Sequence, residues 1–264
     1  MAKVRFFNAD YDPLTLEQTV DGVFRHVDAG PRGWLCTVNV AILMMMRADR
    51  RLQNFVDNAA IVVADGQPIV WCAPWFGQAL PERVTGVDLV EAICERAARV
   101  DKSIYLLGAT AEIVAKLAQR LRERHPTLRI DFADGYFTKD NAAERADRIR
   151  AAGADILFVG MGVPRQELFI EEQWERMGVG MAIGVGGSFD VLAGLRSRAP
   201  AWVQKLGMEW FYRLVQEPRR LLMRYLITNS QFVRLVISGL FKKRRIMHGD
   251  ADADADAAAA DTKR

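Results

Sequence analysis

The chain has 264 residues, of which 50% are hydrophobic and 26% are charged, and its formal net charge is +3. These values are ordinary for a soluble globular protein that buries a sizeable core in one large or two small domains. No run of about 18 apolar residues and no signal-peptide pattern is present, so neither a transmembrane helix nor export is expected. The three cysteines are too scattered for a disulfide framework or a zinc site, which favours a reduced, cytoplasmic setting.

Apolar runs alternate with helical patterns along residues 1–195. A short helix is expected before the first strand, and six strands are predicted at 34–40, 60–64, 103–108, 128–132, 155–160 and 180–186. The helices expected between them lie at 41–55, 89–99, 111–124, 141–152 and from about Pro164 to Gly178. This alternation predicts an α/β protein with a Rossmann-like, doubly wound, mainly parallel sheet.

Polar residues and glycines stand where the predicted strands end, and in a parallel sheet those ends share one ligand-binding edge. The residues concerned are Thr37, Asn39, Asp65, Gly108, Gly135, Tyr136, Gly160, Gly162, Gln166, Glu167, Gly186, Gly187 and Asp190. The glycines allow the backbone to approach a ligand closely. By position alone, Asp65 could be a general base, a metal ligand or a helix cap, and capping by Asp is common.

The basic charge is concentrated near the C-terminus. Residues 196–248 contain twelve Lys and Arg against two acidic residues, about +10, whereas residues 1–195 carry about −4. Basic, aromatic and leucine residues at helical spacing indicate amphipathic helices on an anionic membrane surface. A core helix pair with a solvated basic rim is the alternative. We therefore predict an α/β catalytic core at 1–195, a basic helical appendage at 196–248 and a disordered Ala/Asp tail at 249–264.

Several common ligand motifs are missing from the sequence. There is no Walker pattern and no Gly-x-Ser-x-Gly elbow. Gly184-x-Gly186 lacks a well-placed third glycine, which makes a dinucleotide site a weak interpretation, and the Asp-x-Asp pattern Asp250-Ala-Asp252 lies in the predicted tail. The usual sequence signals for a nucleotide cofactor are therefore weak or missing.

A series of short motifs nevertheless occurs in a distinctive order. They are Thr37-x-Asn39, Ala64-Asp-Gly66, Arg83-Val-Thr-Gly-Val-Asp88, Gly135-Tyr-Phe137, Gly160-Met-Gly-Val-Pro-Arg-Gln-Glu167, Gly184-Val-Gly-Gly-Ser-Phe-Asp190, Arg198-Ala-Pro200 and Glu209-Trp210 through Glu217-Pro-Arg-Arg220. Together they resemble the WecG/TagA/CpsF family of bacterial glycosyltransferases. The resemblance runs from about Thr37 to Arg224. One difference is Arg165, which stands where the family frequently has lysine.

The resemblance implies an inverting, metal-independent transfer from a UDP-sugar to a polyprenyl-diphosphate-linked saccharide in bacterial surface or exopolysaccharide synthesis. The sugar would be of the N-acetylmannosamine type or a uronic acid such as glucuronic acid. The residue matching the family's base is Asp65, with Thr37 beside it and Asn39 and Arg83 nearby. The resemblance also implies that Arg213, Arg220 and Arg224 bind the leaving diphosphate, for which an arginine fork is well suited. The glycine-rich loops with Gln166, Glu167 and Asp190 would then line the nucleotide crevice.

Two other classes of function stay open at this stage. One is a nucleotide-dependent Rossmann-like oxidoreductase, and the other is a non-catalytic membrane adaptor that uses the basic segment. Nucleic acid is not an expected partner, because tracking phosphates needs no apolar face. The expected location is the cytoplasm, peripheral on the inner face of the plasma membrane, and a homo-oligomer is possible.

Overall fold

The computed structural model describes residues 2–261, and it describes side chains except at 201, 205, 220 and 224 and from 242 onward. A parallel sheet of six strands lies at the centre, in the order β4-β3-β8-β7-β5-β6, beside an antiparallel β1–β2 hairpin. The strands are β1 Val4–Phe6, β2 Ala9–Tyr11, β3 Gly33–Val38, β4 Ile61–Ala64, β5 Ser103–Gly108, β6 Arg129–Ala133, β7 Ile156–Gly160 and β8 Met181–Gly184.

Twelve α-helices are seen in the described part of the chain. They are α1 Leu16–Asp28, α2 Val40–Ala48, α3 Arg50–Asp57, α4 Gln67–Cys72, α5 Gly86–Arg99, α6 Ala111–Arg124, α7 Ala142–Ala152, α8 Arg165–Met177, α9 Ser188–Leu192, α10 Ala201–Lys205, α11 Glu209–Gln216 and α12 Pro218–Asp261. Short 3₁₀ helices at Ala73–Phe76 and Lys139–Asn141 follow α4 and precede α7.

The sheet separates two apolar cores. One core contains side chains of α2, α3, α7 and α8, and the other contains side chains of α1, α5, α6 and α9. The central strands are apolar on both faces because helices cover both, so β5 and β8 are buried throughout. The α/β, Rossmann-like, doubly wound fold is confirmed, with all six predicted strands in one parallel sheet.

The structure differs from the sequence-based expectations in three local features. The β1–β2 hairpin was not anticipated. The single helix expected at 41–55 is two helices, because the Asp49 carboxylate accepts hydrogen bonds from the backbone N–H groups of Arg51 and Leu52 and so starts α3. The helical pattern expected within residues 196–248 is interrupted at Gly207, whose φ of 68° lies in the left-handed region.

The long helix α12 packs onto the α/β core. Its Phe232 lies 6.5 and 6.4 Å from the rings of Phe6 and Phe7, which also contact Phe76. Gly239 permits this approach, since a Cβ there would lie 2.8 Å from the Phe76 ring. The helix continues past 248, where the predicted tail begins, but side chains beyond Phe241 are outside the described residues. The boundaries at 195 and 248 and the disordered tail stay predictions.

Candidate functional site

A cavity of about 730 Å³ opens where β3 and β4 end. Its walls come from the segments after these two strands, from α4 and the 3₁₀ turn behind it, and from α11 and α12. Asp65 follows β4 directly, and its backbone N–H donates to the carbonyl of Val38 at 3.1 Å. The parallel pairing of β3 and β4 thus brings the ends of both strands to one edge, where Asn39 and Asp65 line the same cavity.

Asp65 is the titratable group whose environment fits proton transfer. Its side chain keeps partial access to the cavity, yet surrounding protein atoms raise the pKa of its carboxyl from 3.8 to about 7, mainly by desolvation. Glu209 and Asp88 also raise this pKa, whereas the positive charges of Arg83 and Arg213 lower it. A carboxyl of this pKa is balanced between acid and base near neutral pH.

Arg83 and Glu209 join the core to the C-terminal helices. Nη2 of Arg83 donates a hydrogen bond to Oε2 of Glu209 at 2.7 Å, and both side chains are mostly buried. Glu209 begins α11, 126 residues along the chain from Arg83. Burial of two charges is tolerated where they are paired in this way, and both residues line the cavity beside Asp65.

A second ionic contact repeats this connection. Thr85 caps α5 by accepting a hydrogen bond from the backbone N–H of Asp88, and its hydroxyl donates to the Asp88 carboxylate at 2.6 Å. The other oxygen of Asp88 accepts from Arg198 at 2.5 Å. The Asp88 charge, which raises the pKa of Asp65, is therefore held by a cap and by an arginine from the segment that precedes α10.

The glycine-rich loops after β5, β6 and β7 are packed against one another. A Cβ on Gly108, whose φ is 151°, would lie 2.4 Å from the carbonyl oxygen of Gly160. A Cβ on Gly135 would lie 2.9 Å from the Cα of Gly108. Arg165 donates to the carbonyl of Gly135 at 3.1 Å, which ties the start of α8 to the same loops. Only glycine fits this close backbone packing at residue 108.

Gln166 fixes the loops after β7 and β8. Its side-chain oxygen accepts from the backbone N–H groups of Gly162 at 3.2 Å and Gly186 at 3.0 Å, while its amide donates to Glu167 Oε1 at 2.8 Å. Because Gln166 is buried, it holds these loops from within. The orientation of its amide is set by the Glu167 acceptor.

Glu167 and Thr37 lie beneath this edge of the sheet. Burial raises the pKa of Glu167 to about 7, partly opposed by the hydrogen bond from Gln166, and its Oε2 is buried without a hydrogen-bond partner. The Thr37 hydroxyl donates to the Gly184 carbonyl at 3.3 Å. Thr37 and Glu167 line a small internal cavity with Cys36, separate from the one that contains Asp65.

The predicted site residues fall into distinct groups. Asn39, Asp65, Arg83 and Arg213 share the large cavity, and Arg213 also reaches the β8 loop, where its Nη2 would lie 3.7 Å from a Cβ on Gly187. Other predicted residues do not line that cavity. Asp190 pairs with Arg196 at 3.8 Å, and Tyr136 is exposed, with its backbone N–H bound to Asp134. The side chains of Arg220 and Arg224 lie outside the described residues.

Asn39 has a structural task besides its place in the cavity. Its side-chain oxygen accepts from the backbone N–H of Ile42 at 3.1 Å and caps α2. Sequence reasoning did not single out the aromatic part of the cavity, where Trp71, Trp75, Trp210 and Tyr225 lie. The signal available was the unusual aromatic content of residues 68–76 and of the basic segment.

Two properties of the described residues bear on ligands and membranes. Among them, no group of three or more His, Cys, Asp and Glu side chains is arranged to hold a metal ion. No helix in the part of the chain that the structure describes is both long enough and apolar enough to cross a membrane.

In a comparison with known protein families, the model of the glycosyl transferase WecG/TagA/CpsF family matches residues 4–246.

Proposed function

The chain belongs to the WecG/TagA/CpsF family of glycosyltransferases, which act in cell-surface polymer synthesis, and we propose that it transfers a hexosyl unit from a UDP-sugar to a polyprenyl-diphosphate-linked saccharide with inversion. The donor sugar is of the N-acetylmannosamine type or a uronic acid such as glucuronic acid. The observation that carries the proposal is a carboxyl of raised pKa, Asp65, in a large cavity lined also by Arg83 and Arg213.

The proposed reaction uses Asp65 as the general base. Asp65 accepts the proton of the acceptor hydroxyl while the hydroxyl oxygen bonds to the anomeric carbon of the donor. The bond from that carbon to the diphosphate oxygen breaks, UDP leaves with the electron pair, and the anomeric configuration inverts. A pKa of about 7 keeps an appreciable fraction of Asp65 ionised at neutral pH and makes it a stronger base than an ordinary carboxylate.

Arginines would stabilise the negative charge of the leaving diphosphate without a metal. Arg213 suits this role because it lines the Asp65 cavity and lies beside Gly187 of the β8 loop. A guanidinium donates paired hydrogen bonds to phosphate oxygens, and its charge acts more strongly in a partly buried cavity than in bulk water. Arg83 is already paired with Glu209, so its role would be to hold α11 and set the field at Asp65.

The test is UDP release by the full chain. UDP-N-acetylmannosamine, its uronic acid and UDP-glucuronic acid would be supplied with a polyprenyl-diphosphate saccharide in liposomes containing excess EDTA. Asp65→Asn should keep its fold and lose at least about 100-fold in turnover, whereas Asp140→Asn, at an exposed carboxylate, should match the wild type. Normal turnover of Asp65→Asn would remove Asp65 as the base. Absence of acceptor-dependent release from every donor would contradict the proposed transfer, and a requirement for added Mg²⁺ would contradict metal independence.

We further propose that the segment 196–248 holds the enzyme on the anionic inner face of the plasma membrane. Trp202, Leu206, Phe211 and Val215 of α10, α11 and the turn between them are exposed in a segment of about +10 charge. Apolar side chains beside a cluster of basic residues favour a surface with anionic headgroups. Sedimentation with phosphatidylglycerol vesicles should fall in Trp202→Glu and not in Val100→Glu, at an exposed apolar residue of α5's C-cap. Equal sedimentation of both variants would contradict this surface.

A further inference from the structure

The cavity that contains Asp65 is much longer than a proton-transfer site requires. Residues of α12 from Tyr225 to Leu240 line it, and at 1.5 Å per residue this wall is about 22 Å long. Trp210 and Tyr225 meet at one end, with ring centroids 6.1 Å apart, while Gly239 lies against Phe76 towards the other end. The cavity therefore extends along α12 as a groove between this helix and the α4 region.

The groove is polar at the sheet edge and apolar along α12. Asp65, Arg83 and Arg213 belong to the sheet-edge end, whereas the α12 wall contributes mostly aliphatic and aromatic side chains. The indoles of Trp71 and Trp75, which line the opposite wall, are 48% and 55% exposed. A cluster of accessible aromatic and aliphatic side chains of this kind is typical of a site that awaits an apolar ligand.

We propose that this apolar groove binds the isoprenoid chain of the lipid-linked acceptor, with the acceptor's diphosphate at the polar end of the groove and its saccharide reaching Asp65. The inference rests on the proposed function, since it deepens the acceptor class of the same site. A nucleotide or free sugar would leave its polar groups unpaired along the α12 wall. A linear hydrocarbon chain with a polar head matches both the apolar α12 wall and the polar end of the groove at the sheet edge.

The occupant is further restricted by the continuity of the groove with the reactive carboxyl. A peptide from a protein partner would need hydrogen-bond partners for its backbone, and the α12 wall offers few besides Thr228 and Asn229. An isoprenoid chain has no such groups to satisfy. Holding its first units would also place the attached saccharide at a fixed distance from Asp65, which lowers the entropic cost of reaction.

Two isoleucines of α12 provide a matched pair for the test. Ile237 lines the groove and is 48% exposed, while Ile227 on the same helix is 51% exposed and does not line it. An asparagine at either position changes the helix propensity and surface exposure alike, but only at 237 does it put an amide into the apolar path. Val233, also a lining residue and 53% exposed, serves as a second groove position.

The experiment measures binding of farnesyl diphosphate to the full chain through quenching of tryptophan fluorescence, because Trp71, Trp75 and Trp210 line the groove. Inorganic diphosphate is the comparison ligand. Farnesyl diphosphate should bind more tightly than inorganic diphosphate, and Ile237→Asn and Val233→Asn should each weaken its binding about tenfold. Ile227→Asn should bind farnesyl diphosphate as tightly as the wild type does, and all three variants should have the melting temperature of the wild type.

The outcomes separate this inference from the proposed function. Equal affinity for farnesyl diphosphate in Ile237→Asn, Val233→Asn and the wild type would overturn the groove, as would an equal loss in Ile227→Asn. If wild type releases UDP only with an acceptor and the Asn variants leave farnesyl diphosphate binding unchanged, transfer stands and the groove fails. If the variants weaken that binding while no donor is ever consumed, the groove stands and the transferase proposal fails.

Discussion

Replacing Asp65 by asparagine should stabilise the protein at alkaline pH while it removes activity. The native pKa of Asp65 is about 7 against an ordinary value of 3.8, so the folded state binds the proton more tightly than the unfolded state. Between these two pH values the folded protein carries more protons, and its stability falls as pH rises. Asparagine resembles the neutral carboxyl and escapes this cost.

The size of the effect follows from the pKa values. At 1.36 kcal/mol for each pH unit, ionisation of Asp65 in the unfolded state but not in the folded state lowers stability by about 1.6 kcal/mol at pH 5, and the loss reaches about 4 kcal/mol above pH 7. Below pH 3.8 the cost disappears. Asp65→Asn should therefore be more stable than the wild type by an amount that rises by about 2.5 kcal/mol between pH 5 and pH 8.

The assay is urea unfolding of both proteins at pH 5 and pH 8, with the urea slope checked for equality so that a change in midpoint reports stability. Asp140→Asn is the control and should stay within about 0.5 kcal/mol of the wild type at both pH values. An Asp65→Asn advantage that is the same at pH 5 and pH 8 would refute the reasoning. So would a variant that is less stable than the wild type at pH 8.

Two further predictions concern the surroundings of this carboxyl and the loop packing. In a profile of kcat/KM against pH, Glu209→Gln should move the midpoint of the rising limb to lower pH, because the Glu209 charge raises the pKa of Asp65. Arg83→Gln should move it to higher pH, because the Arg83 charge lowers that pKa. Profiles in which both variants shift the same way would contradict this. Gly108→Ala should lower stability by about 3 kcal/mol or more, because its Cβ would meet a backbone carbonyl at 2.4 Å. Gly153→Ala, at a φ of 62° with open space around it, should cost only about 1 to 2 kcal/mol. Similar melting temperatures for these two variants would count against the packing argument.

The inner strands of the sheet, such as β5, β7 and β8, could be predicted because they are continuous apolar runs that end in glycine, a pattern that burial on both faces requires. The β1–β2 hairpin could not, because each strand has only three residues and β1 is exposed or half-buried at two of its three positions. The break at Asp49 was missed because the helical apolar pattern continues across it, while the capping hydrogen bonds depend on one side-chain rotamer.

The candidate site was predictable where it depends on strand ends and unpredictable where it depends on distant pairing. Asp65 and Asn39 meet in one cavity because parallel strands end together. The pairing of Arg83 with Glu209 spans 126 residues and follows only from the docking of α11. The burial of the Gln166 side chain, which holds the loops after β7 and β8, could not be inferred either, since the motif that contains it is equally compatible with a contact to a ligand.

The change in charge at residue 196 is not accompanied by a break in packing. Glu209, Leu221, Phe232 and Val236 of α11 and α12 are buried, and the last two belong to the same apolar core as α2 and the β1–β2 hairpin. The helices that carry the basic charge thus also supply a wall of the Asp65 cavity and a partner for Arg83. Helix α11 therefore carries both residues that would lie at a membrane, Phe211 and Val215, and residues that set the field at Asp65, Glu209 and Arg213.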